Sequence, residues 1–188
     1  MDQEKLKNND PIEPVIKNGT WAIRFIGFAE TLKLLVGKHH VESGEAQKLS
    51  SKIIKTIWDN FDKFKKKYHL NFSCYANPAE GLSDKFTALN EKFYGPFPWV
   101  KTKVFYTNSF HVPVDYPCSI AHKIKIESPY HKLCNAGHIS FIEFDSYPTA
   151  NDEIKVITSA FDKINIGYIG INFSIRYCTD CSKKDNEN

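Results

Sequence analysis

The sequence predicts an α/β fold with parallel strands. Apolar residues recur at helical spacing in several segments, and these segments alternate with short strands. The strands read as near-continuous apolar runs, as in GYIGINF at 167–173. That pattern belongs to strands buried on both faces.

The elements follow in order. Residues 1–18 are polar, contain Pro11 and Pro14, and read as an arm. Trp21, Phe25, Phe28 and Leu32 recur at helical spacing, and Gly37 is placed to close that helix. A second helix is expected from about Ser43 to Tyr68, with the stripe Ala46, Leu49, Ile53, Ile57, Phe61, Phe64 and Tyr68. Lys63, Lys65, Lys66 and Lys67 crowd its end. They read as a solvated helix terminus whose cations suit the dipole, ahead of a phosphate-binding patch. Leu70 to Tyr75 alternates as a strand, and Asn77-Pro78 breaks it. A helix is expected from Ser83. The span from Tyr94 to Pro117 is rich in proline and aromatics and reads as loop with short strands. His138 to Phe144 (HISFIEF) is expected as one strand, and Ile154, Ile157, Phe161 and Ile164 as a helix. A final strand follows at 167–173. No internal repeat appears. Two to four strands are too few for a closed sheet, which suggests part of a larger fold.

Composition bounds the function. With 41% hydrophobic residues in 188, the chain can bury the core of one domain. A net charge of +3 gives no argument for nucleic acid as partner. No apolar run reaches the ~18 residues of a membrane helix, and Met1-Asp2-Gln3-Glu4 opens no signal peptide. The expected location is the cytoplasm, with no membrane partner. Five widely spaced cysteines do not form a disulfide framework, and Cys74, Cys118 and Cys134 are expected as buried thiols.

Four features can carry chemistry. Asn77, Pro78, Ala79, Glu80, Gly81, Leu82 and Ser83 lie between a strand and a helix start. Free amides at such a start can cradle a phosphate, although on spacing alone an ordinary strand-to-helix turn is the better reading, since this is neither GxGxxG nor a P-loop. Tyr106-Thr107-Asn108-Ser109-Phe110-His111 sets polar groups among apolar ones. Asn108, Ser109 and His111 can orient a sugar or phosphate, or satisfy a local turn. His131, His138 and the pair His39-His40 read as structural, the latter on an exposed helix connection. Cys178-Thr-Asp-Cys181 can grip one edge of a tetrahedral zinc, but a closed site needs four ligands and only a polar tail follows. Either the pair is no metal site or the chain is part of something larger.

Five strings carry a more specific signal: GFAETLKLLVGKHH (27–40), LNFSCYANPAEGLSDKF (70–86), FYTNSFHVPVDYP (105–117), ESPYHKLCNAGHISFIEFD (127–145) and IGYIGINFSIRYCTDC (166–181). In this order they closely resemble the C-terminal part of the anaerobic, class III ribonucleoside-triphosphate reductase large chain, over roughly residues 18–181. The resemblance implies an α/β fold that is the C-terminal half of a ten-stranded α/β barrel. It implies radical reduction of ribonucleoside triphosphates to deoxyribonucleotides, the precursors for DNA replication. It further implies a glycyl radical installed by a separate iron–sulfur and S-adenosylmethionine activating protein, a thiyl cysteine on a finger loop, and formate as reductant.

The same resemblance makes Asn77 to Ser83 the segment receiving substrate phosphates. Tyr75, Asn108, Ser109 and His111 become walls of the substrate cavity, and Cys178 and Cys181 the first two of four zinc cysteines. It divides the chain into a polar arm (1–18), a partial barrel (19–177) and the start of a zinc-binding segment (178–188). No residue here matches the thiyl cysteine or the radical glycine, and no catalytic residue is assigned. The resemblance therefore implies activity only when complementary reductase pieces, or a homodimer partner, supply them. An inactive remnant or truncated gene product, at most binding nucleotide weakly, is the alternative.

Overall fold

A computed structural model describes residues 7–76, 79–96, 105–144, 154–155, 157–158, 166–173, 176–177 and 184–185. The arm contains one helical turn, α1 (Glu13–Ile16), with Pro14 in the first turn, where a missing N–H costs nothing. None of its residues is buried.

The stripe starting at Trp21 proves to be two elements. β1 (Thr20–Arg24) is a strand, and α2 (Phe28–Val36) begins only after Gly27, whose φ of 70° is left-handed. Trp21 and Phe28 therefore share a helical spacing without sharing a helix. Tertiary pairing overrides the pattern, because β1 is hydrogen-bonded along its length to the next strand. Gly37 closes α2 as expected: at φ 75° its N–H returns to the Lys33 carbonyl.

α3 (Gly44–Tyr68) matches the expected span. Its start is set by Ser43, whose Oγ accepts from the amides of Glu45 and Ala46. Ala46, Ser50, Ile54 and Phe61 are buried along its inner face, and Leu49, Ile53 and Ile57 pack beside them. Lys65, Lys66 and Lys67 occupy the last turn, at the negative end of the dipole.

β2 (Asn71–Ala76) follows α3 and packs on it. It pairs in parallel with β1, from Thr20↔Asn71 to Arg24↔Tyr75. α4 (Glu80–Tyr94) starts three residues before the expected Ser83. α5 (Ile120–His131) has no counterpart in the sequence reading. Its apolar positions, Ile120, Ile124 and Ile126, do not keep to one helical stripe, and Pro129 lies within it. Ser119 caps it by accepting from the His122 amide.

The expected strand from His138 to Phe144 is split. β3 (Gly137–His138) pairs with β2, while β4 (Ser140–Phe144) pairs with β5 (Ile169–Phe173) in a second sheet. The break falls at Ile139, whose carbonyl accepts from His111 instead of a neighbouring strand. All these pairings are parallel, as the apolar strand pattern requires. Residues 154–155 and 157–158 are helical, and Ile157 is buried with Ile124, Ile142 and Ile166. Phe161 and Ile164 lie outside the described residues. β6 (Arg176–Tyr177) and β7 (Lys184–Asp185) form an antiparallel pair. Among the described residues no helix is long and apolar enough to cross a membrane.

The main core joins Leu32, Ile54, Phe61, Cys74, Phe110 and Tyr130. Cys74 and Cys134 are buried as expected, and Cys118 is half-buried. His39 and His40, expected on an exposed connection, are instead 4% and 1% exposed. His40 is enclosed by Phe28 and Tyr130, and its Nε2 donates to the Phe110 carbonyl at 3.0 Å. A chain turning from α2 into α3 must cross the core edge, so its imidazoles go inward. Burial, with His39 next to it, lowers the His40 pKa to about 4. Burial likewise lowers that of His131 to about 4. The His131 and His138 rings, which the spacing did not require to meet, lie 4.7 Å apart. They serve structural roles. His131 Nε2 is 2.9 Å from Ser140 Oγ, its Nδ1 accepts from the Gly167 amide, and His138 Nδ1 donates to the Cys134 carbonyl.

Two outcomes follow for stability. Ile54→Ala, at a fully buried site, is expected to cost about 2–5 kcal/mol in chemical denaturation; a loss below 1 kcal/mol would contradict the packing described. The buried histidines resist protons that the unfolded chain accepts. Their contribution is complete above the ordinary pKa of 6.5 and lost as pH falls toward 4. The urea midpoint should therefore fall between pH 7 and pH 4.5. A flat midpoint over that range would show that both rings are exposed.

Candidate functional site

Residues 105–114 form no strand ladder, so their buried amides and carbonyls need other partners. Several elements supply them. The Gly27 amide donates to the Thr107 carbonyl at 2.8 Å. The Thr107 amide and hydroxyl both donate to Glu30 Oε1, at 3.1 and 2.7 Å. His40 serves the Phe110 carbonyl, and the Val112 amide donates to Glu127 Oε1 at 2.8 Å. Glu30 and Glu127 are both buried. Ser109 holds the turn at a left-handed φ of 45° and is itself buried.

This scaffold is tied to the loop before α4. Asn108 Oδ1 accepts from the Ala79 amide at 2.9 Å. The two segments singled out in the sequence thus meet, although 29 positions separate the bonded residues. Leu82 and Ser83, in the first turn of α4, donate their amides to the Ala79 carbonyl, and no side chain caps the helix. An uncapped N-terminus leaves the positive dipole end available to an anion.

A cavity of about 400 Å³ lies against this junction. Ser83 comes from α4, Asn108 and His111 from the irregular segment, and Lys123 from α5. Glu143 of β4 and Asn172 of β5, directly paired in register, line it as well. The volume lies in the range of small-molecule sites. His111 Nε2 donates to the Ile139 carbonyl at 2.7 Å, and burial keeps its pKa below the ordinary value. The ring is neutral at pH 7, with Nδ1 as an acceptor. Lys123 Nζ lies 3.1 Å from Glu127 Oε1, so its cation is held between the buried carboxylate and the cavity. Hydroxyl, amide, imidazole and ammonium groups share the concave surface with the carboxylates of Asp84 and Glu143, a mixture suited to a polyhydroxylated ligand.

The sequence-predicted residues divide into three sets. Ser83, Asn108 and His111 come together in the cavity, with Ser109 buried beside them. Tyr75 does not line it; it lies on a recess of the first sheet under Arg24. Strand alternation sends Tyr75 to the face opposite Cys74 and Ala76. Gly81 and Leu82 are exposed on α4 and line no part of the cavity. Ala79 contributes its amide, and Glu80 opens the helix. Asn77 and Pro78 lie outside the described residues, as do Cys178 and Cys181.

Sequence reasoning missed Lys123, Glu127, Glu143, Asn172 and Glu30. Lys123 and Glu127 carried a signal, an i,i+4 ion pair, but it needs a recognised helix. Among the described residues no group of three His, Cys, Asp or Glu side chains can hold a metal.

The family model of the anaerobic ribonucleoside-triphosphate reductases matches residues 1–188. The chain is 32% identical over 182 residues to the anaerobic ribonucleoside-triphosphate reductase of Escherichia coli K12, covering 94% of this chain and 25% of that protein. It is 30% identical over 181 residues to that of Enterobacteria phage T4, covering 94% and 28%. The chain thus spans about a quarter of the curated relatives it matches. Among solved structures, the Thermotoga maritima anaerobic ribonucleotide reductase with glycerol in the active site superposes with a TM-score of 0.70 at 18% identity, over 87% of this chain and 26% of that one. The same enzyme in complex with dATP and CTP gives 0.69 at 20%, over 87% and 27%. The fold is therefore part of the α/β barrel of these reductases, and the chain belongs to the anaerobic ribonucleoside-triphosphate reductase family.

Proposed function

We propose that this chain supplies part of the substrate cavity of an anaerobic ribonucleoside-triphosphate reductase. The observation carrying this reading is the bond from the Ala79 amide to Asn108 Oδ1. It joins the helix start of α4 and the irregular segment into one wall. In this reading the triphosphate sits toward the N-terminus of α4, where the dipole stabilises negative charge by about 0.3–1 kcal/mol or more. Asn108 and His111 face the sugar, and Lys123 adds positive charge against the phosphates. Lys123 is poised for this because Glu127, fully buried, fixes its ammonium.

The chemistry of the intact enzyme, reduction to the deoxyribonucleotide, would come from a thiyl and a glycyl radical that no residue of this chain supplies. This chain's part is to bind, to orient the ribose and to exclude water. Complementary reductase segments or a homodimer partner, a radical-activating protein and formate complete the system in the same reading, in the cytoplasm.

Cys178 and Cys181 would provide two thiolates to a zinc ion. Their donor chemistry fits: two soft sulfurs at CxxC spacing make one edge of a tetrahedron. The pairing of Arg176 with Asp185 and Tyr177 with Lys184 brackets the two positions in sequence. Two further ligands are needed to close the site.

Two measurements test this. Calorimetric titration of the chain with CTP should show binding, and Asn108→Ala should weaken it by about tenfold, the worth of one lost bond plus a loosened loop. Unchanged affinity would remove Asn108 from the wall, and no binding by the wild-type chain would favour an inactive remnant. For zinc, two thiolates alone should release the metal readily to a chelator. Stoichiometric, chelator-resistant zinc in the monomeric chain would overturn the half-site.

A further inference from the structure

The helix α4 is amphipathic in the inverted sense. Ser83 and Thr87 are 2% and 7% exposed, and Asn90 is half-buried. These polar residues, spaced i, i+4, i+7, form the face turned toward the rest of the chain. Thr87 Oγ1 donates to the Ser83 carbonyl at 2.8 Å, and Asn90 Nδ2 donates to the Tyr106 hydroxyl at 2.8 Å. The apolar residues of the helix lie outside: Leu82, Phe86, Leu89 and Phe93 are 42–70% exposed. A helix of a globular protein normally buries its apolar stripe and leaves the polar one in water.

The exposed residues follow one another at i, i+4, i+7 and i+11. That is a seam repeating about every 3.5 residues, the pattern of helices that pair with another helix. Helical periodicity sets Lys85 and Lys92 along one edge of the seam, and both are exposed. Among the described residues neither is in an ion pair. The other edge, at Ser83 and Asn90, is covered by the chain itself. Asp84 and Glu91 lie on the far side of the helix from the seam. A partner on this face therefore meets an apolar strip bordered by cations alone. A second copy docked about a twofold axis would bring its own Lys85 and Lys92 to this edge, where like charges oppose it. A helix bordered by carboxylates suits both the strip and the edge. The chain covers 25% of its Escherichia coli relative, so most of the polypeptide of such a reductase lies in other segments.

We propose that the outer face of α4 is a docking surface for an amphipathic helix, apolar along its seam and bordered by Asp or Glu, from a reductase segment outside this chain. The proposal rests on the reading that further segments complete the enzyme. Phe86 and Leu89 form the middle of the contact, Phe93 its C-terminal end, and Lys85 and Lys92 select the partner by charge.

The experiment is calorimetric titration of the chain with two synthetic amphipathic helical peptides. Both carry the same leucine seam, bordered by Glu in one and by Lys in the other. Saturable binding of the Glu peptide is expected, about tenfold tighter than the Lys peptide. Leu89→Ser and Phe93→Ser should each weaken it by about tenfold or more with circular dichroism unchanged, because both side chains are exposed in the chain alone. The double variant Lys85→Glu, Lys92→Glu should reverse the preference between the peptides. CTP titration of the same chain keeps the two readings apart. Peptide binding without CTP binding supports the docking surface and removes only the cavity reading. CTP binding with neither peptide bound overturns the docking surface and leaves the cavity. The proposal is also overturned if the charge reversal leaves the preference unchanged. It is overturned too if sedimentation shows the chain dimerising in a way that Phe93→Ser abolishes, which assigns the face to a second copy.

Discussion

The irregular segment 107–112 carries buried backbone groups that no ladder satisfies, and side chains from three directions satisfy them. Glu30 from α2 takes the Thr107 amide, His40 from the following turn serves the Phe110 carbonyl, and Glu127 from α5 takes the Val112 amide. A buried amide left unpaired costs about 1–3 kcal/mol. These contacts therefore oblige α2, the α2–α3 turn and α5 to hold fixed positions around one short stretch. Asn108 and His111, which face the cavity, inherit that rigidity. Polar residues in a core usually weaken it; here they fix the geometry of the wall.

The same logic explains the division of the sheet. β2 can pair with β1 over five positions and with β3 over only two. Beyond His138 the chain leaves for a second sheet, because the Ile139 carbonyl is taken by His111 and the His138 ring by the Cys134 carbonyl. The cavity lies against β4 and β5 of the second sheet. A continuous strand from His138 to Phe144 would carry Glu143 along the first sheet, away from Asn172. The break in pairing is thus what brings the termini of α4, β4 and β5 around a common space.

Much of the fold was legible. The stripe over α3 defines that helix to within a residue, since its signal is local. β2 was legible from the alternation of Leu70 to Tyr75 and β5 from its apolar run, and parallel pairing from helix–strand alternation. The site was legible in part: Ser83, Asn108 and His111 were chosen from their types, while Lys123, Glu143 and Asn172 were not. The reason is that a lysine on an unrecognised helix and an asparagine within an apolar strand look the same whether they face solvent or a cavity. Tyr75 lies in the recess of the first sheet and not in the cavity beside α4, because neighbours on a strand alternate between faces.

The sequence by itself determined what local physics decides: the long helix α3, the αL glycine that ends α2 and, through five ordered strings, the family. Burial of the strands on both faces did not hold, since β1 is exposed throughout and β5 is only partly buried. Tertiary structure alone decided the rest. It made a strand of the residues around Trp21, because a partner strand outweighs helical spacing. It drew His39 and His40 inward, and it joined Ala79 to Asn108 across 29 positions. Each of these outcomes depends on groups distant in sequence competing for the same hydrogen bonds, and no local pattern records who wins.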